Sequence, residues 1–111
     1  MRNSPKAARR LDHGRYVLTT LAANDIRDIV QYIRQRSPQS ANVVRTQLRA
    51  AMAKLAAFPH MGHLREDVAD EPLRFWSVYS YLIVYRPETN PLEIVRIIHG
   101  ARDLEALFKG T

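Results

Sequence analysis

The stretch IVRIIHGARDLEALF, residues 94–108, decides the fold because it joins an extended run to an amphipathic tail. Four of its first five residues are β-branched, which predicts a strand that ends near His99. Gly100 then permits a sharp exit, and Asp103 can cap a short helix. Three apolar residues share one side of that predicted helix: Leu104, Leu107 and Phe108. The stretch raises the question of whether His99 serves chemistry or packing.

Upstream of this stretch the sequence predicts an antiparallel meander. Three runs rich in aliphatic, β-branched and aromatic residues cover 73–78, 81–86 and 92–99. Tyr79-Ser80 leaves room for only a tight hairpin between the first two runs. The proline-flanked segment 87–91 supplies the turn before the third.

Two helices are predicted before the meander, following a short strand that begins at Tyr16. Asn24 is the predicted cap of the first helix, whose apolar face has helical spacing. That face consists of Ile26, Ile29, Val30 and Ile33. Ser37 is the predicted cap of the second helix, which ends at Phe58 before a proline. The link of about three residues folds the helices into an antiparallel hairpin.

These elements predict an α+β fold, ordered β-α-α-β-β-β plus a short C-terminal helix. We expect a small antiparallel sheet with the helical hairpin packed on one face. Regular alternation along the last strand places Leu92, Ile94 and Ile98 opposite Val95 and Ile97. The face away from the hairpin stays partly apolar, which predicts that the C-terminal tail or a bound partner covers it.

The amino-acid composition excludes several classes of protein and of catalytic site. Hydrophobic residues make up 46% of the chain and charged residues 25%, as in ordinary globular domains. Cysteine is absent, which excludes disulfides and thiol nucleophiles. The longest unbroken apolar stretch is residues 81–85, far below the roughly 20 residues of a membrane span. We therefore expect a soluble cytoplasmic protein that makes no membrane contact.

The net charge of +6 is concentrated at the N-terminus. Residues 1–15 hold five basic groups and one acidic group, which leaves 12 basic and 10 acidic groups in residues 16–111. The sequence predicts a flexible basic tail over residues 1–15 and one folded domain over residues 16–111. A solubilising tail is favoured over an arm that binds nucleic acid.

Several strings of the chain, in order and at the family's spacing, resemble the ParE branch of the RelE/ParE toxin superfamily. They are Asp25 to Ile29 with Tyr32-Ile33, Leu55-Ala56 through Pro59, Gly62 to Arg65, Tyr81 to Arg86 and Ile94 to Leu104. The resemblance covers residues 16–108.

The resemblance implies a bacterial type II toxin that arrests growth and is neutralised by a cognate, ParD-like antitoxin. ParE-like members of the superfamily inhibit DNA gyrase, whereas RelE-like members are ribosome-dependent mRNA endonucleases. The resemblance to the ParE branch therefore implies DNA gyrase as the target, and the RelE-like alternative implies the ribosome. Contact with DNA is expected only indirectly, through the antitoxin. Neither a cofactor nor a metal is expected.

The residues must decide between a binder and a ribonuclease, because a fold does not fix an activity. A ribonuclease would use His99 with arginines such as Arg65 and Arg74 around the scissile phosphate. Strand alternation separates His99 from Arg96, and few lysines accompany them. We therefore expect no catalytic residue, with His99 in a structural or binding role.

Two sets of binding residues are predicted. The target-binding set lies in the C-terminal stretch and comprises His99, Arg102, Asp103, Leu104, Leu107 and Phe108. The antitoxin-binding set lies on the helices and strands and comprises Ile29, Tyr32, Ile33, Val44, Trp76 and Tyr81.

Two further patterns are weaker. His60 and His63 lie in one loop without an evident third ligand, so a metal site is disfavoured. Four aromatic residues could form a platform for single-stranded nucleic acid: Trp76, Tyr79, Tyr81 and Tyr85. Aromatic residues at strand period belong more often to a core or a protein interface.

Overall fold

The computed structural model of the chain describes residues 15–65 and 71–100. Its elements, in chain order, are β1 (Tyr16–Leu18), α1 (Thr20–Arg34), α2 (Pro38–Ala57), β2 (His63–Leu64), β3 (Arg74–Val78), β4 (Tyr81–Arg86) and β5 (Leu92–His99). The α+β class and the order of the predicted elements are confirmed, while the predicted C-terminal helix lies outside the described residues. Neither α1 nor α2 has the length and apolar character needed to cross a membrane.

The five strands form one sheet in the order β1-β5-β4-β3-β2. The predicted antiparallel meander of β3, β4 and β5 is confirmed. The prediction of a wholly antiparallel sheet is wrong, because β1 pairs in parallel with β5 and the sheet is mixed. The helical hairpin carries the chain across the sheet between β1 and the meander. β2 lies in the predicted loop that contains His60 and His63, and it pairs in antiparallel with β3 as a two-residue edge strand.

Helix α2 follows its sequence signals closely. The Ser37 side chain accepts the Ser40 N–H at 3.1 Å, Pro38 occupies the first turn, and Phe58 caps the C-terminus. The predicted bounds of this helix are therefore confirmed.

Helix α1 begins five residues earlier than the predicted cap. Thr19 is the N-cap, and its hydroxyl accepts the Ala22 N–H at 3.0 Å. Asn24 lies inside the helix, where its amide oxygen accepts from Arg27. The prediction of Asn24 as the cap is wrong because Thr19 also bonds to the sheet, a contact that local sequence does not reveal.

The main core lies between the helical hairpin and one face of the sheet, as predicted. Its buried residues are Ala22, Leu48, Met52, Leu55, Ile83, Tyr85, Leu92, Ile94 and Ile97. A second cluster on the sheet contains Leu73, Phe75, Val84 and Ile98, with Leu82 and Val95 packed against it. Of the two covers predicted for the second face, a bound partner stays a prediction and the C-terminal tail lies outside the described residues.

A β-bulge in β5 explains why the predicted alternation is wrong. Val84 pairs with Arg96 but Tyr85 pairs with Ile94, which leaves Val95 without a partner on β4. The side-chain phase shifts by one residue at this point. Ile97 therefore joins Leu92 and Ile94 in the main core, while Ile98 joins Val95 in the second cluster.

The bulge is held by the N-terminal half of α1. The Thr19 hydroxyl donates to the Val95 carbonyl at 2.8 Å, and the Thr19 N–H donates to the Ile94 carbonyl at 3.0 Å. The Asp25 carboxylate accepts the Ile97 N–H at 2.9 Å. It also binds Arg96 in a bidentate manner, at 2.7 Å to Nε and 2.9 Å to Nη2. Helix α1 thus satisfies polar groups that the irregular ladder leaves available.

Replacing Asp25 with alanine should destabilise the fold by about 2–4 kcal/mol. The change removes a carboxylate that binds the Arg96 guanidinium and the Ile97 N–H, at a site where the Asp25 and Arg96 side chains are only 15% and 22% exposed. Chemical denaturation measures the effect, and a double-mutant cycle with Arg96→Met isolates the pair. Asp28→Ala, on the exposed side of α1, is the control and should change stability by less than about 0.5 kcal/mol. Equal losses for the two variants would contradict this assignment.

Candidate functional site

His99 is exposed at the end of β5, where it pairs with Tyr81 across the sheet. The two rings meet edge to face, with their centroids 5.3 Å apart. Gly100 follows with φ +64°, a left-handed conformation that favours glycine, so the predicted sharp exit is confirmed. His99 shares a face with Ile97, as alternation predicted.

Tyr81 links this histidine to further aromatic and cationic side chains. Burial raises the pKa of the Tyr81 phenol, and the neighbouring Tyr32 phenol raises it further. Tyr32 is 57% exposed, and the Arg36 guanidinium lies 5.1 Å from the centre of its ring. We call Tyr32, Arg36, Tyr81 and His99 the aromatic surface. It offers flat rings, phenol and imidazole hydrogen-bonding groups and one cation, which suits a protein interface.

Arginines proposed for a ribonuclease lie at the other end of the sheet. Arg74 pairs with Tyr85 on β4, four residues along the strand from the partner of His99, a separation of roughly 13 Å. The Arg74 guanidinium donates to the Gly62 carbonyl at 2.6 Å. Arg65 follows Leu64, which pairs with Arg74. The structure therefore does not bring Arg65 and Arg74 to His99.

Tyr85 fixes this opposite end from within the core. Its hydroxyl donates to the Pro59 carbonyl at 2.7 Å and accepts the Gly62 N–H at 2.9 Å. A Cβ at Gly62 would lie 2.5 Å from that hydroxyl, so the close approach requires glycine. Burial raises the pKa of the Tyr85 phenol. Tyr85 is therefore a structural anchor and is not available for stacking.

The other aromatic and histidine candidates separate from one another. His60 Nε2 lies 3.3 Å from a Glu88 carboxylate oxygen, whereas the His63 ring stacks on Trp76 at 6.3 Å. Residues 15–65 and 71–100 contain no cluster of three or more metal-ligating side chains. Tyr79 occupies the confirmed β3–β4 turn with φ 55°. The four aromatic residues considered for nucleic-acid stacking thus do not line one platform.

The two predicted binding sets are only partly assembled. In the antitoxin set, Ile29, Val44, Trp76 and Tyr81 pack against the main core and are partly buried. Ile33 is also partly buried, which leaves Tyr32 as the well-exposed member. In the target set only His99 is described, and the remaining members, Arg102, Asp103, Leu104, Leu107 and Phe108, lie outside the described residues. Arg36 was not predicted as a site residue, because its contact with the Tyr32 ring is not evident from the sequence.

Comparison with known proteins identifies the family. The family model for the ParE toxin of the type II toxin–antitoxin system parDE matches residues 16–104. This chain belongs to the ParE toxin family. The match runs from β1 through every described element, so the ParE resemblance read from the sequence is confirmed and the protein is a type II toxin.

A solved structure shares the ParE fold. It is described as the chromosomal ParDE TA system from P. aeruginosa, and it matches with a TM-score of 0.63 at 18% identity. The alignment covers 80% of this chain and 98% of the other. Among curated protein sequences, none matches this chain significantly. At 18% identity the similarity supports the fold alone, so the contacts of individual side chains are argued from this chain's own structure.

Tyr85→Phe should destabilise this ParE fold by about 1–3 kcal/mol, because the buried Gly62 N–H loses its acceptor. The wild type should also lose stability above about pH 10, because burial raises the pKa of the folded phenol whereas the unfolded phenol ionises near its ordinary pKa of 10.0. That loss should be smaller in Tyr85→Phe. Urea denaturation between pH 7 and 11 tests both points, with exposed Tyr79→Phe as the control. Equal stability of the two variants would contradict the anchoring role.

Proposed function

We propose that this toxin acts in the cytoplasm by binding DNA gyrase and that a ParD-like antitoxin neutralises it. The family assignment supports a toxin, and the arrangement of His99 and its neighbours supports binding over catalysis. Cleavage of RNA through its own 2′-hydroxyl requires a base, an acid and cations at one place. Here the His99 ring rests against Tyr81, and Arg74 bonds to a turn at the far end of the sheet. This separation is the observation that carries the proposal.

The aromatic surface supports a mechanism of neutralisation by overlap. His99 belongs to the proposed target-binding set, whereas Tyr32 and Tyr81 belong to the proposed antitoxin-binding set. His99 contacts Tyr81, so one member of each proposed set lies beside a member of the other. An antitoxin segment seated on Tyr32 and Tyr81 would therefore obstruct the approach of a target to His99.

Supercoiling by purified gyrase tests the proposed target. We expect the purified toxin to inhibit supercoiling at micromolar concentration, and equimolar antitoxin to restore it. His99→Gln should weaken inhibition because it removes the imidazole from the aromatic surface. Absence of inhibition at large molar excess would refute gyrase as the target.

A ribosome-dependent ribonuclease remains the second candidate, favoured by the exposure of His99 at the end of β5 beside the Tyr81 ring. It predicts mRNA cleavage in cells that express the wild type, and its loss in His99→Gln with the fold unchanged. Intact mRNA together with a DNA-damage response would favour the gyrase proposal.

Tyr32→Glu should weaken antitoxin binding at least tenfold, because a charge would enter the apolar part of the proposed interface. Since Tyr32 is mostly exposed, the variant should remain folded. Isothermal titration measures the affinity, and Phe58→Ser is the control because Phe58 is 62% exposed at the end of α2. Equal affinities for the two variants would remove Tyr32 from the antitoxin site.

A further inference from the structure

The helical layer is far more basic than the charge of the folded domain predicts. Residues 20–58 hold six Lys and Arg against two Asp and Glu, and α2 contains no acidic residue. One of the two carboxylates, Asp25, is bound to Arg96. The other acidic residues of the folded domain lie outside residues 20–58. The small net charge of the whole domain therefore does not reveal that its helical layer is strongly basic.

Four exposed arginines of this layer, which we call the arginine stripe, lie on α1 and α2: Arg27, Arg34, Arg45 and Arg49. The first three line an open groove of about 610 Å³ between α1 and α2, together with Gln31 and Gln35. Arg49 is exposed one helical turn beyond Arg45, on the same side of α2.

Arginines of the sheet are engaged within the fold, in contrast to the stripe. Arg86 binds Glu71 and Glu93, and Arg96 binds Asp25. Among the residues that the structure describes, no carboxylate forms an ion pair with a stripe arginine. Arg27 bonds to the neutral Asn24 amide, which leaves its charge uncompensated. The stripe is therefore positioned to attract an external polyanion.

The groove is lined by apolar side chains as well as by cationic and amide groups. Val30 is only 7% exposed, and Ile26 already packs against the main core. The guanidiniums and side-chain amides along the groove can donate hydrogen bonds to phosphate oxygens. Arg45 and Arg49 lie about 6 Å apart along the helix axis, and a DNA strand presents a phosphate every 3.4 Å of axis. Two such side chains can reach neighbouring phosphates.

We propose that the arginine stripe binds the phosphate backbone of duplex DNA without sequence preference. This direct contact departs from the expectation that DNA is reached only through the antitoxin. It is also independent of whether gyrase is the target. The four arginines are exposed on the two helices, so binding requires no rearrangement of the sheet.

Salt-dependent binding of the full chain to a labelled 20-base-pair duplex tests the stripe. Each phosphate contact adds about 0.9 to the slope of log affinity against log salt. The variant R27Q/R34Q/R45Q/R49Q should therefore lose about 3–4 units of slope, equivalent to about a 100-fold smaller salt effect between 50 and 200 mM KCl. The corresponding quadruple lysine variant keeps the charges and should retain the slope.

Two controls make the result decisive. R9Q/R10Q alters the basic N-terminal segment, and its effect should add to that of the stripe without replacing it. R86Q removes an arginine already held by two carboxylates and should leave the slope unchanged. The proposal is overturned if the glutamine and lysine quadruple variants bind alike. It is also overturned if a polyglutamate peptide or single-stranded RNA binds the stripe more tightly than the duplex does.

Discussion

The Asp25 carboxylate is the interaction on which the rest of the structure depends. It accepts three hydrogen bonds from β5, one from the Ile97 backbone and two from the Arg96 guanidinium. With Thr19 it fixes the N-terminal half of α1 on the one irregular position of the longest strand. Charge-assisted bonds of this kind are short and directional, so they define a docking geometry that apolar packing alone would leave loose.

The contact of α1 with the bulge determines which side chains of β5 face the helices, and it thereby determines the composition of the aromatic surface. Because the ladder slips by one residue at Val95, Ile97 turns into the main core and His99 follows it to Tyr81. The same helix carries Tyr32 to that end of the sheet. At the opposite end, Tyr85 and Gly62 hold a turn that also engages Arg74. The pairing of β4 with β3 and β5 thus separates the residues that a ribonuclease would have to bring together.

Local signals in the sequence predicted the local structure well. Ser37, Pro38 and Phe58 mark the bounds of α2, and the three meander strands fall within one residue of their predicted limits. The bulge, the Thr19 cap and the parallel pairing of β1 depend on contacts more than seventy residues apart, which no local pattern encodes. His99 was identified from its position at the end of a predicted strand, whereas the arginine stripe was missed because its members are spread over two helices. Only the folded hairpin places those arginines on one groove.

Amide hydrogen exchange at Ile97 tests the central claim most directly, because this N–H lies in the middle of the α1–β5 junction. If Asp25 fixes α1 on the bulge, the Ile97 amide should exchange only through global unfolding, with an opening free energy equal to the stability from denaturation. Exchange through a local opening that leaves the amides of Ile83 and Leu48 protected would contradict the account. The helix would then rest on the sheet without defining its geometry.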